Sequence, residues 1–308
     1  MDGIINIYKE QGFTSFDVVA KLRGILKQKK IGHTGTLDPM AEGVLIVCLG
    51  KATKLVDLLA KDDKCYKTTM RLGITTDTED ISGKILSEHE VSEHINEQRI
   101  KSVLAEYVKT YDQIPPMYSA IKKDGKKLYE YAREGVLVER TPRSVTIFSI
   151  TDISVKLPDV TFTVHCSKGT YIRSLCRDIG ETLGCGATMT ALIREEVHGV
   201  KLEDCYRLSE IEHFMKSGTI MNYLKPMDDI LSFMDCLYIK DEYMKYLANG
   251  NKLKKHHFQT SDTMPKQDQI FRIYAKEKLF ALYQYDAGEN IFKNYKMFLS
   301  VQDLRENN

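Results

Sequence analysis

The sequence predicts an α+β protein with a small β-rich domain at its C-terminal end. Three observations predict it. Residues 3–8, 144–155 and 160–166 alternate apolar and polar side chains, the period of a half-buried strand, and a turn containing Pro158 joins the last two as a hairpin. Segments 16–27, 91–107 and 172–183 repeat apolar residues at helical spacing. Beyond residue 236 the pattern changes to one helix near 241–248, Gly250, and three β-like runs near 253–258, 270–275 and 279–285. The domains are therefore expected at 1–236 and 237–308.

The elements follow in order. After the first strand comes a turn, and Ser15 is the expected N-cap of the first helix, with Asp17 favourably placed in its first turn. Phe16, Val19, Leu22, Ile25 and Leu26 form its apolar stripe, and Lys21, Arg23 and Lys27 its exposed face. The chain then enters Ile31–Gly43, a loop by composition, with three glycines, two threonines and Pro39. Val44–Gly50 is a continuous apolar run, a buried strand. Asp38 is the only acid in the loop before Glu42, and Pro39 pushes it away from helical backbone angles. A lone carboxylate in a rigid loop beside a buried strand suits a catalytic acid, and it equally suits an Asx turn.

Downstream, 52–60 reads as a helix, 64–73 as a strand and 75–83 as a polar turn. The 91–107 helix has a stripe of Val91, Ile95, Ile100, Val103 and Leu104. Pro115 and Pro116 exclude a central strand around them. Residues 122–127 form a basic turn before a short helix. The helix at 172–183 ends at Gly184. Ser209 and Glu212 have the spacing of a capping box, and 260–268 reads as a polar hairpin tip.

Composition sets the class. The chain has 308 residues, 43% hydrophobic and 28% charged, as ordinary globular proteins do. It contains no apolar run long enough to cross a membrane as a helix, and its start lacks signal-peptide regions, so a cytoplasmic location is expected. Seven scattered cysteines without a Cys-x-x-Cys pair argue against a disulfide framework or zinc site. A net charge of +1 leaves RNA binding to local basic clusters, among them Lys21–Lys30, Lys122–Lys127 and Lys252–Lys255.

Gly32-His33-Thr34-Gly35-Thr36-Leu37-Asp38-Pro39, followed by Gly43-Val44-Leu45, resembles the catalytic loop of the TruB family, the tRNA pseudouridine-55 synthases. Tyr66 with the later Leu72-Gly73 and Thr75-Thr76-Asp77-Thr78-Glu79-Asp80 resembles its second motif. Lys168-Gly169-Thr170-Tyr171-Ile172-Arg173 and Leu192-Ile193-Arg194 resemble later ones, in the family's order. The matches span most of residues 2–235. The resemblance implies a pseudouridine synthase fold, a large mixed or antiparallel sheet flanked by helices, with a PUA-like RNA-binding domain at 237–308. It implies Asp38 as catalytic carboxylate, Tyr66 and Arg173 beside it, and substrate contacts from His33, Lys9, Tyr171 and Leu192. It implies tRNA, through its T stem-loop, as partner, a monomer, and no cofactor or metal. Glu10 stands where the family usually has proline after this lysine.

The chemistry asks for little. Converting uridine to pseudouridine breaks N1–C1′, turns the base and joins C5 to C1′, with no redox step or group donor. One ionised carboxylate, a stacking wall and exclusion of water suffice. Asp38 can act at the glycosidic centre, and Tyr66 can stack on the base and exchange a proton through its hydroxyl. An arginine at 173 would keep the aspartate ionised and oriented. The uridine must leave its stack to arrive, and His33 can fill the space or touch the flipped nucleotide. Competing readings are an RNA-binding protein without chemistry, the catalytic subunit of a guide-RNA particle, and a nucleosidase.

Overall fold

The computed structural model describes residues 1–259, 264–300 and 302–303. Nine strands form the main sheet: β1 (Gly3–Lys9), β2 (Ile31–His33), β3 (Glu42–Leu49), β4 (Lys64–Leu72), and five more introduced below. A small hairpin of β5 (Ile74–Thr76) and β6 (Ile85–Glu88) follows β4. Then come β7 (Thr110–Gln113), the short pair β8 (Lys122–Lys123) and β9 (Lys126–Lys127), and the hairpin β10 (Arg143–Lys156) and β11 (Asp159–Cys166). The main sheet is completed by β12 (Ala187–Val197) and β13 (Val200–Lys201). Its order is β1-β3-β12-β4-β11-β10-β7, with β2 paired to β3 and β13 to β12. It is mixed, because β12 runs parallel to β3 while its other neighbour, β4, is antiparallel.

Alternation sends the two faces of β1 and β3 to different partners. Ile5, Ile7, Leu45 and Val47 pack under α1 (Ser15–Ile25). Ile4, Val44, Ile46 and Cys48 face the other way. On the β4–β11 side, Tyr66, Met70, Val160, Phe162 and Val164 form a separate core. They pack with Ile100, Val103 and Leu104 from α3 (Glu97–Glu106) and Leu175, Cys176 and Ile179 from α5 (Ile172–Leu183). In sequence the single turn α2 (Val56–Leu59), which continues a 3-10 stretch from Gly50, precedes α3, and α4 (Leu128–Arg133) lies between α3 and α5. Gly184 takes φ 79° and stops α5, as expected of a glycine at that position.

The second sheet, β14 (Cys236–Tyr238), β15 (Ile270–Ala275), β16 (Lys278–Asp286) and β17 (Ile291–Met297), follows α6 (Leu208–Lys216) and α7 (Met227–Ile230). The helix α8 (Met244–Ala248) lies between its first two strands. Tyr274, Leu279, Leu282 and Phe298 share one apolar cluster with Ile4, Val44 and Ile46. The second sheet thus covers a face of the first.

Several expectations are corrected. Thr14, not Ser15, caps α1: its hydroxyl accepts from Asp17 N–H at 3.0 Å, and Asp17 accepts from Thr14 N–H at 2.8 Å. Phe16 is 63% exposed, because the buried stripe runs through Val18, Val19 and Leu22. The 91–107 helix begins only at Glu97, capped by Asn96. The box at α6 is closed by Glu210 on Arg207 N–H at 2.7 Å, so Ser209 lies inside the first turn. Residues 253–258 are not a strand: Leu253 bridges Phe292 and Lys255–His257 form a 3-10 turn, since four polar residues separate the apolar anchors Leu253 and Phe258. Of the expected hairpin tip at 260–268, residues 260–263 lie outside those described.

Candidate active site

Asp38 sits in the loop between β2 and β3, and the loop is fastened along its length. Leu37 N–H donates to Ser15 Oγ at 2.8 Å, so the serine expected to cap a helix anchors this loop instead. Gly12 N–H donates to the Pro39 carbonyl at 2.8 Å. Ala41 N–H donates to the Asp38 carbonyl at 3.0 Å. Beneath it, fully buried Lys9 directs its ammonium at the carbonyls of Glu10, Pro39 and Ala41. Burial brings the Lys9 pKa down to about 8, with Asp38 and Glu42 opposing the shift.

Arg173, in the first turn of α5, reaches Asp38 with two nitrogens, Nε to Oδ2 at 2.9 Å and Nη2 to Oδ1 at 3.2 Å. The arginine is 5% exposed. Its remaining donors go to the Thr78 carbonyl at 2.9 Å and the Tyr118 carbonyl at 3.0 Å. A second carboxylate, Asp80, lies 3.4 Å from Arg173 Nη1. Sequence reasoning gave Asp80 no role. Its signal was the final acid of the Thr-Asp-Thr-x-Asp stretch, whose turn Asp80 closes by accepting from Thr78 and Ser82. The Asp38 side chain is one-third open to the adjoining cavity, yet protein surrounds it closely. Burial raises its pKa above the ordinary carboxylate value; Arg173 opposes this and Asp80 adds to it.

The cavity is about 550 Å³, a size typical of small-ligand sites. Asp38, Arg173, Tyr66, Tyr171 and Leu192 all line it. Tyr66 comes from β4 and is 9% exposed; burial raises its hydroxyl pKa. Tyr171 is set by Gln113, whose side chain accepts from Tyr171 N–H at 2.8 Å and donates to its carbonyl at 3.1 Å. Two sequence candidates are not in the lining. Lys9 lies under the loop. His33 ends β2 with a buried Nδ1 that has no hydrogen-bond partner among the described residues, and burial lowers its pKa. Lys64 and Arg194 do line the cavity, and sequence reasoning singled out neither as a site residue. Among the described residues no group of three His, Cys, Asp or Glu side chains is placed to hold a metal ion, and no helix is long and apolar enough to cross a membrane.

Residues 23–172 match the model of the TruB family pseudouridylate synthase N-terminal domain, and residues 173–232 that of a tRNA pseudouridylate synthase B C-terminal domain. The chain is 51% identical to tRNA pseudouridine synthase B of Lachnoclostridium phytofermentans, over 97% of this chain and 100% of the relative. It is 43% identical to that of Clostridium kluyveri, over 91% and 94%. Among solved structures it resembles one of an H/ACA RNP bound to a substrate RNA containing 2′-deoxyuridine, with TM-score 0.72 and 25% identity over 96% of this chain and 85% of the other. It also resembles the archaeal box H/ACA sRNP Nop10-Cbf5 complex, with TM-score 0.72 and 26% identity over 97% and 86%.

Proposed function

The chain belongs to the TruB family of pseudouridylate synthases, and from that premise we propose that it isomerises uridine 55 in the T loop of tRNA, with Asp38 as the catalytic carboxylate. Membership makes it an isomerase that forms pseudouridine in tRNA. The observation that carries the finer reading is the two-point Arg173–Asp38 pair on the wall of a cavity that Tyr66 also lines.

In this reading the target uridine leaves its stack and enters the cavity. Tyr66 provides a flat face for the base, and Leu192 and Tyr171 complete the wall. Arg173 keeps Asp38 ionised against its burial and aims both oxygens. Asp38 supplies the negative charge required at the glycosidic centre while N1–C1′ breaks. The Tyr66 hydroxyl handles the C5 proton once the carbon–carbon bond has formed. Lys9 acts through the loop it holds. His33, at the loop entrance, meets the RNA outside the cavity.

The domain at 237–308 acts as a PUA-like RNA-binding module, with exposed Lys252, Lys254 and Lys255 toward phosphates, and the chain works as a monomer. Product analysis with purified chain and tRNA tests the reading. A mass-silent isomerisation at one uridine is expected without added metal, cofactor or guide RNA. Release of free uracil, or unchanged tRNA, contradicts it.

A further inference from the structure

Arg194 is 2% exposed, carries a full charge, and has no carboxylate within 4.0 Å among the described residues. Such burial is costly unless the donors are satisfied and the charge is used. Two of its nitrogens are tied to backbone: Nε donates to the Val44 carbonyl at 2.7 Å and Nη2 to the Gly35 carbonyl at 3.1 Å. These two carbonyls flank the Asp38 loop. On β12, Arg194 pairs with Gly43 of β3 on one side and lies directly opposite Tyr66 of β4 on the other. Gly43 is required there, since a Cβ at that position would stand 2.2 Å from the Arg194 carbonyl oxygen. Opposed residues on paired strands present side chains to the same face. Both line the cavity.

We propose that Arg194 is a positioning residue for Tyr66, pinned by the loop carbonyls so that an uncompensated guanidinium stands behind the phenol oxygen. The inference rests on the proton role proposed for Tyr66. Arginine has donors only, so it favours negative charge on the phenol oxygen and leaves the hydroxyl hydrogen free to point into the cavity. Its field reaches further: it opposes the effect of burial on Tyr66 and lowers the pKa of His33. One side chain therefore ties the Gly35 end of the Asp38 loop, the start of β3 and Tyr66 into one unit.

Two measurements test this. The first is a cycle of single-turnover rates at saturating enzyme, with Arg194→Met and Arg194→Lys each made in the wild-type and Tyr66→Phe backgrounds. Arg194→Met should slow the wild type by roughly tenfold or more, with partial rescue in Arg194→Lys. It should slow Tyr66→Phe by much less, because the oxygen it acts on is gone. Equal losses in both backgrounds overturn the proposal and leave Arg194 a structural residue. The second uses the free enzyme, labelled with carbon-13 at tyrosine Cζ, the Tyr66 resonance being identified by its loss in Tyr66→Phe. That resonance should move in Arg194→Met and partly return in Arg194→Lys; an unmoved resonance in both folded variants overturns the proposal. This reading needs no tRNA, so failure of the proposed function would silence the first measurement alone.

Discussion

Arg173 grips Asp38 through Nε at 2.9 Å and Nη2 at 3.2 Å, one nitrogen to each carboxylate oxygen. Lysine at 173 would keep the charge and lose the fork. One charge-assisted hydrogen bond is worth about 2 kcal/mol, so Arg173→Lys should slow turnover by roughly 30-fold while the salt dependence of tRNA binding stays unchanged. Arg173→Met should move the acidic limb of the rate profile upward, since the Asp38 anion loses its partner. Single-turnover rate against pH and binding against salt check both. An unshifted limb with a shallower salt slope would place Arg173 on the RNA-binding surface instead.

The raised pKa of Asp38 makes a prediction about stability. A carboxylate whose folded pKa exceeds its unfolded value is costly to ionise in the fold. The cost is absent below the unfolded pKa and is fully present once pH has risen through the folded one. Asp38→Asn should therefore melt at or above the wild-type temperature at pH 8, with the advantage shrinking as pH falls toward 4. Thermal unfolding across that range measures it, and a lower melting temperature for the variant at pH 8 contradicts it.

Lys9 has three ammonium hydrogens for three carbonyls, those of Glu10, Pro39 and Ala41. Its pKa of about 8 means that the proton is lost under mildly alkaline conditions, leaving two donors for three acceptors. The rate should fall as pH rises past about 8. Lys9→Met should turn over more slowly throughout and lack that alkaline limb. A limb that persists in Lys9→Met would assign it to another group.

The shared cluster of Ile4, Val44, Ile46, Tyr274, Leu279 and Leu282 shows that the second sheet is part of the core. Deleting 237–308 should therefore lower the melting temperature, and truncation is a poor test of RNA binding. Charge reversal is a better one. Lys254→Glu with Lys255→Glu, both exposed, should weaken tRNA binding and reduce the salt slope by about 1–2, with the melting temperature unchanged. Binding as tight as wild type at matched salt would remove the module from the RNA contact.

The strands β1, β3, β4, β10 and β11 and the helices α1 and α5 were legible from their apolar patterns, whereas the central strand β12 was reached only through the resemblance at Leu192-Ile193-Arg194, and β2 lies in a stretch that reads as loop. Asp38, Tyr66, Arg173, Tyr171 and Leu192 were legible through the resemblance, and the structure gathers all five around one cavity. Four features were not. Ser15 has the chemistry of a cap, and only the fold brings Leu37 to its hydroxyl. Arg194 follows the motif leucine by two residues, but cross-strand register alone puts it against Tyr66 and the Val44 and Gly35 carbonyls. Asp80 stands out locally only as the last acid of a turn motif, and its place beside Arg173 is a long-range contact that the motif does not carry. In the second sheet, β17 was missed because Ile291–Met297 shows no clean alternation, with Lys293, Asn294 and Lys296 interrupting the apolar residues.

The most direct measurement is pseudouridine formed in tRNA by wild type and Asp38→Asn, without added metal or cofactor, alongside tRNA affinity at the same salt. Wild type should form one pseudouridine, at position 55. Asp38→Asn should form none while binding within about threefold of wild type, because phosphate contacts dominate affinity. Turnover in Asp38→Asn close to the wild-type rate would contradict the assignment of Asp38 as the catalytic carboxylate.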